Sequence, residues 1–300
     1  MVTAVKHGGG RTRTVPYVCS LVTFLLIAGV SCEQASDLEG PGQAYLHVRP
    51  RWSPDGATVV FRGDLGGRRG IILVDTSGMN VRLILEGEGI GFTWSPDSRW
   101  ICFSAYGSLF RIRVDGDSLT RLTTGARDIR PAWSPDGDGI AFVRTGIWIS
   151  RLSTGQASQL APEGDYPGWA PGGSEVVFLL AFPGVDPLDP RNLYEIDAVD
   201  TLSRVMREVW VVRSSSDVTF PTLSPAGDAF AFTVRSSGLP QIWKSSLTDS
   251  TLNRLTDDGG DYASWSPDGR MLVYSRVAED DGGLWMMQTD GSGKRRLTRP

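Results

Sequence analysis

One five-residue phrase, Trp-Ser-Pro-Asp-Gly or a close variant, occurs six times in this chain of 300 residues. The copies begin at Trp52, Trp94, Trp133, Trp169, Leu223 and Trp265. Successive copies lie 36 to 54 residues apart. A repeat near 40–45 residues is typical of the four-stranded blades of a β-propeller. The spacing therefore predicts six blades, the fourth of which is longer than the others.

The phrase also has a local structural meaning. Proline presets φ for a type I turn, aspartate favours the next position, and glycine accepts the left-handed conformation that closes a hairpin. Each copy is thus expected to join two strands, and segments rich in β-branched and aromatic residues follow each one, as after Trp100 and Met271. Short closing strands should end near Arg-Leu-Thr, as at Arg254–Thr256 and Arg296–Thr298. The predicted fold class is all-β: a six-bladed β-propeller of four-stranded antiparallel blades over residues 45–300, with the repeated tryptophans packed between blades.

The first 31 residues resemble an export signal. Basic residues up to Arg13 precede an apolar run from Val18 to Val30, which is shorter than the roughly 20 residues that a membrane span needs. We therefore predict a signal peptide over residues 1–31 and a tether over residues 32–44. The remainder carries a net charge near −7, because the whole chain has −4 and the leader holds three basic residues and no acid. That balance disfavours nucleic acid as a partner.

Leu26–Cys32 is similar to the lipobox of bacterial lipoproteins, in which the cysteine is acylated and becomes the first mature residue. On this interpretation Cys32 is the lipidation site and the membrane is reached through a lipid anchor. Gly29 departs from the aliphatic residue that the lipobox favours, and Gly29 with Ser31 also suits ordinary signal-peptidase cleavage. An uncleaved anchor is the third alternative. Cys102 would then remain alone in a predicted strand, as a small buried side chain.

The repeated corner, the strands ending Phe103-Ser104 and Tyr274-Ser275 and the Arg-Leu-Thr segments together resemble the WD-like propeller repeat of the TolB family. The resemblance covers Tyr45 to Pro300 and implies a periplasmic protein that binds envelope proteins. TolB itself carries an α/β domain before its six-bladed propeller, and we expect none in this chain. The resemblance therefore supports a TolB-like propeller rather than equivalence to TolB.

Catalytic and metal-binding signatures are sparse. After the leader, His47 is the one histidine, so a Ser-His-Asp or Cys-His site would have to use it. Too few histidines and cysteines remain after the leader to build a metal site from these ligands. No aspartate-rich turn has the spacing of an EF-hand. Relatives of prolyl oligopeptidase combine similar blades with a hydrolase domain, and this chain has no such domain. Propeller lyases use a histidine-rich metal site, which a single histidine cannot form. We expect no enzyme activity, no cofactor and no metal.

Binding is the remaining role, and the first strand of each blade should line the central channel. The residues before the corners, at the channel mouth, are therefore predicted to bind a partner: Arg49, Arg51, Phe92, Asp128, Arg130, Asp165, Tyr166, Phe220, Asp261 and Tyr262. Aromatic residues and arginine are enriched at recognition surfaces. The alternative is that these side chains satisfy one another around the ring. The extra length of blade four, in Phe182–Asn192 and Thr201–Ser216, is a second candidate surface.

The resulting hypothesis is a non-catalytic, monomeric, exported propeller that binds a protein or peptide partner at the cell envelope. It would be periplasmic or anchored at the outer membrane through Cys32. The alternatives are a module that senses or binds a ligand or oligosaccharide, or a propeller lyase or hydrolase.

Overall fold

A computed structural model describes residues 2–4, 12–13, 47–125, 127–183, 191–276 and 282–298. Residues 47–298 of this part form six antiparallel sheets, each built from four strands that are consecutive in the chain. The predicted six-bladed, all-β propeller is confirmed. Cys32 and residues 14–46 lie outside the described residues, so the leader, the tether and the lipid anchor remain predictions.

The strands of the first three blades run from the channel outward in chain order. Blade one contains β3 (His47–Trp52), β4 (Thr58–Leu65), β5 (Arg68–Asp75) and β6 (Val81–Glu86). Blade two contains β7 (Ile90–Trp94), β8 (Trp100–Ala105), β9 (Ser108–Arg113) and β10 (Thr120–Arg121). Blade three contains β11 (Ile129–Trp133), β12 (Gly139–Val143), β13 (Ile147–Arg151) and β14 (Ala157–Ala161).

The other three blades repeat this order. Blade four contains β15 (Asp165–Trp169), β16 (Glu175–Phe182), β17 (Asn192–Asp200) and β18 (Met206–Ser214). Blade five contains β19 (Asp217–Leu223), β20 (Ala229–Arg235), β21 (Gln241–Ser246) and β22 (Leu252–Arg254). Blade six contains β23 (Asp261–Trp265), β24 (Met271–Arg276), β25 (Gly283–Gln288) and β26 (Arg295–Arg296).

Blade four has the extra length that the repeat spacing predicted. Its second to fourth strands have eight or nine residues each, so Thr201–Ser216 is a turn followed by an outer strand rather than a loop. The sheet also carries two short strands from the N-terminus, β1 (Val2–Ala4) and β2 (Thr12–Arg13), both antiparallel to β18. The long outer strand offers them an unpaired edge.

Each corner phrase forms the predicted tight turn. At the first copy the amide of Gly56 donates to the Ser53 carbonyl at 2.9 Å, and Gly56 has a φ of 75°. The Ser53 hydroxyl donates to Asp55 Oδ1 at 2.6 Å and accepts from the amide of Thr58 at 2.9 Å. The serine and aspartate side chains therefore close the turn through hydrogen bonds that a sequence pattern alone does not reveal.

The corner tryptophans pack between blades, as predicted. Trp94, Trp169 and Trp265 each donate their indole N–H across the seam to a carbonyl of the preceding blade, at 2.9–3.0 Å. Trp52 and Trp133 instead donate to the glycine carbonyl of their own corner. The indoles thus link blades in alternation. In blade five the corner residue is Leu223, which packs against the cluster of blades four and five without a polar link.

The ring closes between blades one and six without exchange of a strand within the described residues. A hydrophobic cluster joins the two blades, with Phe61 and Ile72 from one side and Val273 and Met286 from the other. The amide of Trp52 also donates to Ser264 Oγ at 3.2 Å. Closure therefore depends on side-chain packing across this seam.

The corner aspartates predict a loss of stability in acid. Hydrogen bonds from Ser134 and Ser266 lower the pKa values of Asp136 and Asp268 below 3.8. A carboxylate whose pKa is depressed by folding contributes stability that is present above the unfolded pKa and lost as pH falls through the folded value. We expect the urea midpoint of Asp268→Asn to fall less steeply below about pH 4 than that of the natural protein. Asp117→Asn, a substitution at an exposed turn, should leave the steepness of this fall unchanged. Equal slopes for all three proteins would contradict this prediction.

Candidate recognition site at the channel mouth

The six innermost strands share an irregularity at the same position. In each one the register with the second strand shifts, and one residue takes a left-handed φ between 50° and 64°. These residues are Arg49, Gly91, Arg130, Tyr166, Phe220 and Tyr262. A positive φ is uncommon outside glycine and is strained for bulky side chains, so five such residues at equivalent positions mark a conserved geometry of the repeat within this chain. A bulge of this kind re-aims the side chain that it carries.

Three of the re-aimed side chains form a continuous aromatic cluster. The ring centroids of Tyr166 and Phe220 are 4.8 Å apart at an angle of 75°, and those of Phe220 and Tyr262 are 4.3 Å apart. Their separations fall near the favoured range for aromatic pairs. Burial raises the pKa values of both tyrosines, so they stay protonated at neutral pH. Blades four, five and six thus meet at the channel through their aromatic rings.

Arginines complete the arrangement on either side of these rings. The Arg49 guanidinium lies 5.7 Å from the Phe220 centroid and 5.3 Å from the Tyr262 centroid. That of Arg130 lies 4.3 Å from the Tyr166 centroid. These distances are within the range of cation–π contacts. Because Arg49 of blade one contacts Phe220 of blade five, the side chains converge on the channel axis. We call Arg49, Arg130, Tyr166, Phe220 and Tyr262 the mouth ring.

Acidic residues neutralise part of this charge. Arg130 Nη1 lies 2.8 Å from Asp165 Oδ1 and 2.9 Å from Asp165 Oδ2. Asp261 is 2 % exposed and pairs with Arg235, whose guanidinium also lies 5.6 Å from the Phe220 centroid. Burial raises the pKa of Asp261, and Arg235 opposes that shift. Several predicted residues therefore do satisfy one another, as the alternative interpretation expected, although the mouth ring itself stays half-buried.

Like Asp261, two other residues of the predicted set are buried. Phe92 is 2 % exposed and packs in the cluster between blades one and two. Asp128 is fully buried, and Arg144 donates to its two oxygens from Nε at 2.6 Å and from Nη2 at 2.9 Å. Phe92 directly follows the bulge residue of its blade, and Asp128 precedes the first strand of its blade. We therefore leave Phe92 and Asp128 out of the candidate site.

Sequence reasoning missed Arg235, which ends the second strand of blade five. A usable signal was present, because four blades carry an arginine near the end of their second strand: Arg62, Arg144, Arg235 and Arg276. Each of the four forms an ion pair with an acidic residue that lies at or just before an innermost strand. An arginine at this position therefore predicts a charge pair near the channel.

Behind the mouth ring lies a central cavity of about 350 Å³. Its wall contains Tyr166 of the mouth ring at one side and Pro54 and Pro135 of the corners at the other. Four corner tryptophans, Trp52, Trp94, Trp133 and Trp169, and the charged residue Arg51 also line it. A volume of this size falls within the range of small-molecule sites.

The other potentially reactive or metal-binding side chains do not form a site. Cys102 is fully buried, and desolvation raises the pKa of its thiol. Within the described ranges, no group of three His, Cys, Asp or Glu side chains is arranged to hold a metal ion. In the same ranges no helix has the length and apolar character needed to cross a membrane.

Sequence comparison places these features in a family. The family model described as the TolB beta propeller domain matches residues 39–188 and 129–300. A TolB homolog of Chlorobium luteolum is 31 % identical over 149 residues, which is 47 % of this chain and 31 % of that protein. An uncharacterized protein of Agrobacterium fabrum is 31 % identical over 158 residues, or 44 % of this chain and 54 % of that protein. The chain thus spans about a third to a half of these curated relatives.

Solved structures show the same fold. TolB from Acinetobacter baumannii superposes with a TM-score of 0.61 at 19 % identity, covering 82 % of this chain and 61 % of that one. An oligogalacturonate lyase in complex with manganese superposes with a TM-score of 0.54 at 16 % identity, covering 84 % and 78 %. Structural likeness at such identities carries only the fold. The match of the family model over most of the sequence decides the assignment: this chain belongs to the TolB β-propeller domain family.

Proposed function

We propose that this protein is a non-catalytic binding propeller of the cell envelope, and that its mouth ring contacts a protein or peptide partner. The observation that carries the proposal is the convergence of three aromatic rings and two arginines from five blades at one end of the channel. Tyrosine and arginine dominate the binding energy of protein interfaces. Rings held by strained backbone and cation–π contacts are preorganised, which limits the entropy lost on binding.

Family membership supports the same proposal. The matched relatives include a protein named as a TolB homolog, and proteins of that name give a precedent for a propeller in the envelope. The leader and the lipobox-like Leu26–Cys32 segment are consistent with export and acylation of Cys32. Mass spectrometry of the mature N-terminus tests this part separately. Lipid on Cys32 would support the anchor, and an unmodified N-terminus after Ser31 or elsewhere would contradict it.

The partner proposal can be tested with variants that keep the backbone geometry. Gly91 occupies the mouth-ring position of blade two, so Tyr262→Gly substitutes a residue that this position already accepts in another blade. We expect Tyr262→Gly to weaken partner binding by about 30-fold, the size of a hot-spot loss of 2 kcal/mol. Partner recovery from crosslinked envelopes, followed by titration of the recovered protein, measures the effect.

Tyr106 provides a matched control. It also has a left-handed φ, of 50°, but lies at the turn between β8 and β9 with 80 % of its surface exposed and outside the mouth ring. Tyr106→Gly should change affinity less than about twofold. Equal losses for both variants would place the interface elsewhere. Recovery of no reproducible partner, together with turnover of a peptide or oligosaccharide, would overturn the proposal.

Ligand or oligosaccharide binding remains the alternative. Glycan-array binding that is lost in Tyr262→Gly but retained in Tyr106→Gly would favour it. The cation–π contacts argue against it, because Arg49 and Arg235 already lie near the faces of Phe220 and Tyr262, where a sugar ring would stack.

A further inference from the structure

Arg51 differs from its counterparts in all five remaining blades. It lies two residues after the bulge residue of β3, and the equivalent positions in the other innermost strands carry small side chains: Thr93, Ala132, Gly168, Thr222 and Ser264. Two of these, Thr93 and Ser264, accept a hydrogen bond from the backbone amide of the next blade's tryptophan. A long cation at this level is therefore not required by the repeat, and it extends into the space that five small residues leave.

The guanidinium of Arg51 is poorly satisfied by the protein. Its Nη1 donates to the Pro50 carbonyl at 3.0 Å. Among the residues that the structure describes, no carboxylate forms an ion pair with it, although a guanidinium has five N–H donors. The neighbouring arginines differ in this respect, because Arg130 pairs with Asp165 and Arg235 pairs with Asp261. Arg51 thus brings an unbalanced positive charge to the wall of the central cavity.

Holding that charge is unfavourable in the free protein. Burial lowers the pKa of Arg51 to about 10, and the charge of Arg49 adds to the effect. A charged group inside a protein is normally paired or coordinated. The cavity supplies space for such a counter-ion, and the indoles of Trp52, Trp94, Trp133 and Trp169 place apolar surface beside the polar part of its wall. An anion with an apolar body would satisfy both surfaces at once.

The single guanidinium of Arg51 favours a carboxylate over a phosphate as the bound anion. A single planar guanidinium matches the two oxygens of a carboxylate. A phosphate group carries more charge and is usually bound by several cations, whereas Arg51 is the one charged residue among the described residues that line this wall. The lining also includes Leu223, which is smaller than the indole of the other corners, with Val177, Ile196 and Phe230. We propose that Arg51 makes the central cavity a binding site for a carboxylate with an apolar body, carried by a free organic acid or by the end of a peptide.

Binding in the cavity can be measured without the partner, because indoles line the wall and intrinsic tryptophan fluorescence can follow it. The probes are 3-phenylpropionate and its amide, and Ala-Leu-Phe with a free or an amidated C-terminus. We expect the charged form of at least one pair to bind ten times or more tightly than its amide at pH 7. Tighter binding of phenylpropionate identifies a free acid as the ligand type, and tighter binding of the tripeptide identifies a peptide end.

The variant Arg51→Thr installs the residue of blades two and five and should fold normally. It should lose the preference for the carboxylate over the amide, while Arg82→Thr, which removes an exposed arginine from the outer strand of the same blade, should retain it. Arg51→Thr should also raise the melting temperature by about 2 °C, because an unpaired and partly buried charge is removed. Equal binding of acid and amide to the natural protein, binding by neither form, or an equal loss in Arg82→Thr would overturn the proposal.

Discussion

Replacing Trp265 by alanine is expected to lower the free energy of unfolding by about 3–5 kcal/mol, the usual cost of truncating a large buried aromatic residue. Trp265 is 8 % exposed and packs blade six against Ala231, Ile242 and Leu255 of blade five. Its indole N–H also donates to the carbonyl of Thr222 across the seam at 3.0 Å. Truncation would leave a cavity between blades and an unpaired carbonyl. Urea denaturation followed by circular dichroism measures the change.

Leucine substitutions separate packing from hydrogen bonding. Trp265→Leu copies the residue that blade five already has at Leu223 and should cost less than the alanine variant. Trp52→Leu removes an indole that bonds only within its own corner, to the carbonyl of Gly56 at 3.1 Å. Both variants lose one indole hydrogen bond, but Trp265 is the more buried of the two and bonds across the seam, so we expect Trp265→Leu to be more destabilising than Trp52→Leu by about 1 kcal/mol. A loss below about 1 kcal/mol for Trp265→Ala would contradict the role of the indole in joining blades.

These seams also bear on recognition. The mouth ring exists only if five blades hold their innermost strands at fixed positions, because its contacts join Arg49 of blade one to Phe220 and Tyr262 of blades five and six. Blades one and six are joined by side-chain packing and by the hydrogen bond from the Trp52 amide to Ser264, so a loss of core contacts there would weaken closure of the ring. Stability of the seams and geometry of the recognition site are therefore linked in this fold.

Much of the architecture was accessible from local sequence chemistry. The corner phrase determines where strands begin because proline, aspartate and glycine restrict the backbone, and the second strands predicted from Trp100 and Met271 begin at those residues in the structure. The closing strands end earlier than Arg-Leu-Thr suggested. In that segment the threonine leaves the sheet, and Thr256 Oγ1 and Thr298 Oγ1 accept amide hydrogen bonds from the third strands.

The composition of the site was less accessible, for a physical reason. Alternation of inward and outward side chains holds only while a strand is regular, and each innermost strand contains a bulge that shifts this alternation. Phe92 therefore lies inside although it stands beside a mouth position. The ion pairs of Asp128 with Arg144 and of Asp261 with Arg235 join residues 16 and 26 positions apart, the first through the pairing of β11 with β12 and the second through the packing of blade five against blade six.

Arg144→Met is expected to destabilise the protein by about 3–5 kcal/mol, because it leaves the fully buried carboxylate of Asp128 without its bidentate partner. The guanidinium also lies 4.8 Å from the Trp148 ring, so the contact with that side chain is lost as well. Restoring neutrality in the double variant Asp128→Asn with Arg144→Met should recover a large part of the loss, since a buried pair can be replaced at little cost when both charges are removed. Arg151→Met provides the control: its pair with the exposed Asp136 is 3.7 Å long, and its loss should cost less than about 1 kcal/mol. Similar urea midpoints for the Arg144 and Arg151 variants would show that Asp128 is stabilised by something other than Arg144.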